Sequence, residues 1–129
     1  MSAEVIRGKR ILVVDDEPMI AGLLADVLMA DGHEVDAVHT GHAALERLAD
    51  HTYDLIVSDL RMPGLDGRGL YRELELRHPA MLRRILFVTG SALDPGNEEF
   101  LKATRAPWLG KPFTIAELRR MTQQLLAGG

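Results

Sequence analysis

Four places in the sequence put a reactive group directly after a short apolar run. Asp15-Asp16 follow Ile11-Leu12-Val13-Val14, Asp59 follows Leu55-Ile56-Val57-Ser58, Thr89 follows Ile85-Leu86-Phe87-Val88, and Lys111 follows Trp108-Leu109-Gly110. Each has a plain explanation by itself: the paired aspartates can cap a helix, Asp59 can form a turn, Thr89 can be a loop hydroxyl, and Lys111 a solvated charge. Together they offer more chemistry. Three carboxylates brought close repel one another unless a cation sits among them. An all-oxygen donor set, with no cysteine and no paired histidine, favours Mg2+. Lys111 would then be a second positive pole and Thr89 a hydrogen-bond donor between the two, which makes a clamp for a phosphoryl group. No P-loop or Gly-rich dinucleotide turn is present, so no nucleotide cradle is expected. Carboxylates can act as nucleophiles and form aspartyl phosphates. Asp59 stands alone at its run while Asp15 and Asp16 form a pair, so Asp59 is the expected acceptor.

Such a clamp needs elements that bring four distant segments to one rim. Arg10 to Val14 is a β-branched-rich strand covered on both faces. Pro18 fits the first turn of a helix running to about Ala30, with Ile20, Leu23, Leu24, Val27 and Leu28 on one stripe and Asp31-Gly32 as the stop. Glu34 to Val38 is a second strand. Thr40-Gly41 introduces a second helix with Ala43, Ala44, Leu45 and Leu48. Tyr53 to Ser58 is a third strand, and Asp66 can cap a helix to about His78. Arg84 to Val88 is a fourth strand. Asp94-Pro95 reads as a cap with proline at the first helical position, opening a short helix to about Thr104. Trp108 to Gly110 is a brief fifth strand. Thr114 to Glu117 has capping-box spacing and opens a last helix whose Leu118, Met121 and Leu125 face inward. Alternating strands and helices predict right-handed crossovers between parallel strands, in an open α/β sandwich. Ligands of such sheets bind beyond the carboxyl ends of the strands, where the four reactive segments lie.

Composition agrees with a single module. The 129 residues suit one domain, expected over 1–129 with a core from about 10 to 126. Hydrophobic residues make up 47% and charged residues 26%, enough for a packed core. Fifteen Lys and Arg against nineteen Asp and Glu leave a net charge of -4, the wrong sign for a direct nucleic-acid partner. The apolar runs are far shorter than the roughly 20 residues of a membrane span. No membrane insertion is expected, and the expected compartment is the cytoplasm. His33, His39, His42, His51 and His78 have no ligand spacing and read as solvated or capping.

At this point the chain resembles the receiver domains of bacterial two-component response regulators. The resemblance rests on Val14-Asp15-Asp16-Glu17-Pro18, then Asp59-Leu60-Arg61-Met62-Pro63-Gly64-Leu65-Asp66-Gly67, then Thr89-Gly90, then Lys111-Pro112-Phe113. It implies a flavodoxin-like, CheY-like sheet of five parallel strands in the order 2-1-3-4-5, with five helices on two faces. It implies that Asp59 takes a phosphoryl group from a phosphohistidine on a histidine kinase or histidine phosphotransfer domain. Mg2+ would be ligated directly by Asp16, Asp59 and the main-chain carbonyl of Arg61, with Asp15 acting through water. Lys111 would contact the phosphoryl oxygens, next to a cis Lys111-Pro112 peptide, and Thr89 would turn its hydroxyl onto the new group. Phosphorylation adds about 1.5 to 2 negative charges. An aromatic residue three before the lysine then changes rotamer and remodels the face of the fourth helix, fifth strand and fifth helix; here it is Trp108.

Two features depart from the family's pattern. Trp108 stands where tyrosine or phenylalanine is usual, and Ala106-Pro107 replaces the common approach to the fifth strand, which implies an unusual output face. Arg61 and Ser91 occupy positions that in similar domains influence the access of hydrolytic water. The resemblance further implies a downstream protein target and a phosphorylation-dependent homodimer, in a stand-alone regulator or the receiver end of a hybrid kinase. It implies a signalling domain rather than an enzyme, with only weak self-phosphorylation and self-dephosphorylation. The competing readings are a Mg2+-dependent phosphohydrolase with an aspartyl intermediate and an unphosphorylated pseudo-receiver that docks partners. The missing Asp-x-Asp pattern disfavours the first, and the intact acids, Thr89 and Lys111 disfavour the second.

Overall fold

A computed structural model describes residues 5–128. The elements are β1 (Arg10–Val14), α1 (Pro18–Ala30), β2 (Glu34–Val38), α2 (Gly41–Asp50), β3 (Leu55–Ser58), α3 (Gly67–Arg77), a 3-10 turn (Pro79–Arg83), β4 (Ile85–Thr89), α4 (Pro95–Thr104), β5 (Trp108–Gly110) and α5 (Ile115–Gly128). The five strands are parallel in the order β2-β1-β3-β4-β5, the flavodoxin-like order. Chain direction across the sheet reverses between β1 and β3, and that is where ligands of such folds bind.

The strands alternate their buried side chains between two cores, as a pleat with helices on both faces requires. Ile11, Val13, Leu55, Val57, Leu86, Val88 and Leu109 pack with α1 and α5 through Leu24, Leu28 and Leu118. Leu12, Val14, Ile56, Ile85 and Phe87 pack with α2, α3 and α4 through Leu48, Leu70, Leu74 and Leu101. Ile11, Leu12, Ile56 and Phe87 are fully buried, and each such side chain contributes about 1.5–3 kcal/mol. Phe100 of α4 meets Tyr71 and Phe87 edge-on, at 5.2 and 5.7 Å between ring centroids.

The local signals act largely as expected. Asp66 Oδ1 accepts from the Gly69 N–H at 2.9 Å and starts α3. Thr114 and Glu117 exchange backbone and side-chain bonds at 3.0 Å and start α5. Those bonds, the backbone one foremost, lower the Glu117 carboxyl.

Five expectations need correction. β3 begins at Leu55 rather than Tyr53, because Asp54 Oδ2 takes the Arg10 N–H at 2.9 Å before the regular ladder starts. Tyr53 is instead buried, its hydroxyl donating to Asp36 Oδ2 at 2.6 Å. Burial, then that acceptor, pushes the phenol up to about 12. β4 runs from Ile85 to Thr89, one residue later than expected, since Pro79–Arg83 coils into a 3-10 turn that apolar spacing does not reveal. Leu23, placed on the buried stripe of α1, is 43% exposed. Asp94 occupies the N-cap position of α4 but makes no capping bond; its carboxylate faces Arg61 at 3.6 Å. His33 is buried, not solvated: its Nδ1 accepts the Lys9 N–H at 3.2 Å, and its buried Nε2 has no partner. Burial lowers its pKa, against the raising effect of Asp31 and Asp54.

Candidate phosphoryl-transfer site

The sheet register places the acids. Val14 pairs with Ser58, so Asp15 and Asp59 leave two adjacent parallel strands side by side. Thr89 pairs with Gly110, so Lys111 leaves β5 beside the end of β4. By the parity of the pleat, Asp15, Asp59 and Lys111 continue the face of Val13, Val57 and Leu109. Thr89 continues the other face, that of Ile85 and Phe87, toward α3 and α4.

Lys111 Nζ donates to Asp15 Oδ2 and to Asp59 Oδ2, each at 3.0 Å. The remaining oxygens take backbone donors: Asp15 Oδ1 accepts from the Glu17 N–H at 2.9 Å, and Asp59 Oδ1 from the Arg61 N–H at 3.2 Å. Asp15 is fully buried and Asp59 nearly so. Burial by itself would lower the Lys111 ammonium, but the hydrogen bonds and charges of Asp15 and Asp59 outweigh it, and the net shift is upward. Lys111 therefore sits between two acids as well as beside the opening. The Lys111-Pro112 peptide is cis.

Asp16 completes the group, since one carboxylate oxygen from each of Asp15, Asp16 and Asp59 can lie within 4.8 Å of the others. Three carboxylates against one ammonium leave an excess of negative charge, which the all-oxygen donor set suits to a hard divalent cation. These acids are not a helix cap: the N-cap of α1 is Glu17, whose side chain caps nothing. The group opens on a cleft of about 600 Å³, also lined by Arg61, Met62 and Thr89. Met62 is buried beneath it and packs into the α3 side of the core. Of the expected site residues, Asp16, Asp59, Arg61, Thr89 and Lys111 line this cleft, and Asp15 is buried against Lys111. Trp108 begins β5 and is 42% exposed.

A sequence profile of the response regulator receiver domain matches residues 11–123. The chain belongs to the response regulator receiver domain family. The transcriptional regulatory protein TcrA of Mycobacterium tuberculosis is 34% identical over 113 residues, covering 88% of this chain and 44% of TcrA, so the receiver domain spans less than half of that relative. The receiver domain of the sensor histidine kinase PA1611 from Pseudomonas aeruginosa superposes with a TM-score of 0.83 at 32% identity, covering 93% of this chain and 98% of that one; that structure has a magnesium ion in its active-site cleft. The response regulator TrrA of Thermotoga maritima, solved in complex with Mg(2+)-BeF, gives a TM-score of 0.78 at 32% identity, covering 91% and 98%. Among the described residues no helix of the receiver domain is long and apolar enough to cross a membrane.

Three participants were given no role by the sequence reading, although Glu17 and Gly67 stand in its motifs. Gly67 lies so close to the acceptor strand that a Cβ there would stand 2.5 Å from the Asp59 carbonyl oxygen and 2.7 Å from Leu60 Cα. Glu17 lends its N–H to Asp15 and lines the cleft. Asn97, distant in sequence from every motif, hydrogen-bonds Ser91 beside Thr89. The Asp66-Gly67 pair after Pro63-Gly64 was a usable signal for Gly67; nothing local marks Asn97.

Proposed function

We propose that Asp59 is the phosphoacceptor of a two-component phosphorelay. An Asp59 carboxylate oxygen attacks the phosphorus of a phosphohistidine, the N–P bond breaks, the imidazole leaves with its electron pair, and an acyl phosphate forms on Asp59. The donor is a histidine kinase or a histidine phosphotransfer domain. The observation that carries this reading is the single ammonium 3.0 Å from both Asp15 and Asp59, at the edge of a solvent-open cleft.

The donor set fits Mg2+: Asp16, Asp59 and the carbonyl of Arg61 would hold it, with Asp15 behind them acting through water. When bound, the ion supplies charge neutralisation for the incoming phosphoryl oxygens. Lys111 follows the new charge from the carboxylate to a phosphoryl oxygen, and Thr89, on the rim, supplies a hydroxyl. The domain acts as a switch whose only chemistry is on its own aspartate, and it serves a downstream protein target either as a stand-alone regulator or as the receiver end of a hybrid kinase. Exposure of Trp108 on β5 supports an output surface there, which a second copy of the phosphorylated chain could also use. We read the chain as one domain with its core over about 10–126, supported by one sheet that engages all five helices. On this reading it works in the cytoplasm, where nucleotide-fed kinases make phosphohistidine.

Incubation with acetyl phosphate and Mg2+ tests the proposal. Intact-mass spectrometry should show the gain of one phosphoryl group, labile to hydroxylamine, and Asp59→Asn should abolish it. Equal labelling of that variant would move the acceptor elsewhere. Turnover of many phosphomonoesters would instead indicate a phosphohydrolase, and no adduct at all a docking module.

A further inference from the structure

The hydroxyl of Thr89 is engaged away from the acids. The Ser91 N–H donates to Thr89 Oγ1 at 3.0 Å, and the Ser91 hydroxyl lies 3.0 Å from the same oxygen. Ser91 is gripped in turn by Asn97, whose Nδ2 donates to the Ser91 carbonyl and to Ser91 Oγ, both at 3.0 Å. The Asp94 N–H also donates to that carbonyl, at 3.1 Å. Thr89 and Ser91 are 1% and 8% exposed, so these bonds are largely shielded from water.

Asn97 is the third residue of α4, whose N-cap Asp94 contributes no capping bond. The side chain that joins the first turn of α4 to the end of β4 is therefore that of Asn97. A hydroxyl on the α3/α4 face of the sheet, tied through Ser91 to α4, cannot turn toward Asp59 without disturbing that tie. Trp108, 42% exposed on β5, is not a member of this hydrogen-bonded chain.

We propose that Asn97 is a positioning residue for Thr89: through Ser91 it latches the hydroxyl in a resting orientation and couples phosphorylation of Asp59 to the first turn of α4. The inference rests on the reading of Asp59 as acceptor and adds the route by which its modification reaches a helix. A latch that favours the resting state opposes any ligand that binds the turned state, and loosening the latch tightens that ligand by the same factor.

The test is calorimetric titration of the full chain with beryllofluoride at saturating Mg2+, using wild type, Asn97→Ala, Ser91→Ala and the double variant. Loss of the Asn97 bonds should lower the beryllofluoride Kd about three- to tenfold. Ser91→Ala should shift it in the same direction and keeps α4 intact should Asn97→Ala fold poorly. Adding Asn97→Ala to Ser91→Ala should lower the Kd further but by less than Asn97→Ala does alone, because Ser91→Ala removes the hydroxyl bonds and leaves the Asn97 bond to the residue 91 carbonyl. The Mg2+ Kd without beryllofluoride should be the same for wild type and Asn97→Ala, a result that general loosening of the site would not give. An unchanged or weaker beryllofluoride affinity in Asn97→Ala, or full additivity of the two substitutions, overturns the latch alone. Failure of the wild type to bind beryllofluoride overturns the acceptor reading and the latch with it.

Discussion

Replacing Lys111 with methionine keeps the apolar stem and removes the ammonium that lies between Asp15 and Asp59. Each contact is 3.0 Å, which at an effective dielectric near 20 corresponds to about 5.5 kcal/mol of gross attraction. Desolvation of the ammonium offsets much of this, and the Lys111 side chain keeps 18% of its surface in solvent. The carboxylates do not share that relief: their side chains are 1% and 8% exposed, so the variant retains two buried acids with no counter-charge. The net cost is expected at about 2–4 kcal/mol, at the lower side of what breaking a buried pair costs. For a chain of this size that is a Tm lower by about 8–16 °C in Mg2+-free buffer. Thermal unfolding followed by circular dichroism reads it directly. Millimolar Mg2+ should raise the Tm of Lys111→Met more than that of the wild type, because a divalent ion meets two unpaired acids and no competing ammonium. A Tm within about 2 °C of wild type without Mg2+, which is under 1 kcal/mol, would refute the account of the site as mutually dependent charges. Equal Mg2+ stabilisation of both proteins would refute it as well.

Gly67→Ala forces a Cβ against the backbone of Asp59 and Leu60, where no flexible side chain can yield; unfolding should show a loss of at least about 2–3 kcal/mol, and acetyl phosphate labelling of the folded fraction should slow. His33 is buried with its pKa lowered, so below about 6.5 the unfolded chain binds a proton that the folded chain refuses, and stability is lost as pH falls. The Tm difference between pH 7.5 and 5.5 should therefore be smaller in His33→Asn, which retains an acceptor for the Lys9 N–H; an equal difference would remove His33 from the pH dependence. Tyr53→Phe deletes the 2.6 Å bond to Asp36 and should cost about 0.5–1.5 kcal/mol in urea unfolding with an unchanged m-value.

Local chemistry made much of this molecule legible. Strands such as Arg10–Val14 are apolar on both faces because helices cover both, and caps such as Asp66 and the Thr114–Glu117 pair announce their helices within four residues. The same runs end in Asp15, Asp59 and Thr89, so the membership of the site could be read from what stands after each strand. What failed was non-periodic, as in the 3-10 turn at Pro79–Arg83, or dependent on a partner far away in sequence, or at the edge of a helical stripe, as with Leu23. Tyr53 left the strand for Asp36, Asp94 left its cap for Arg61, and His33 was buried against Lys9.

By itself the sequence determined the order of strands and helices, because the spacing of apolar residues reports which faces are covered. It determined the kinds of group at the strand ends for the same reason. Only the tertiary structure decided that one ammonium lies equally close to two acids, that Gly67 must leave room for the Asp59 carbonyl, and that Asn97 holds Ser91. Those facts arise from strand register and helix placement, which depend on contacts between segments tens of residues apart, and no local pattern carries that information.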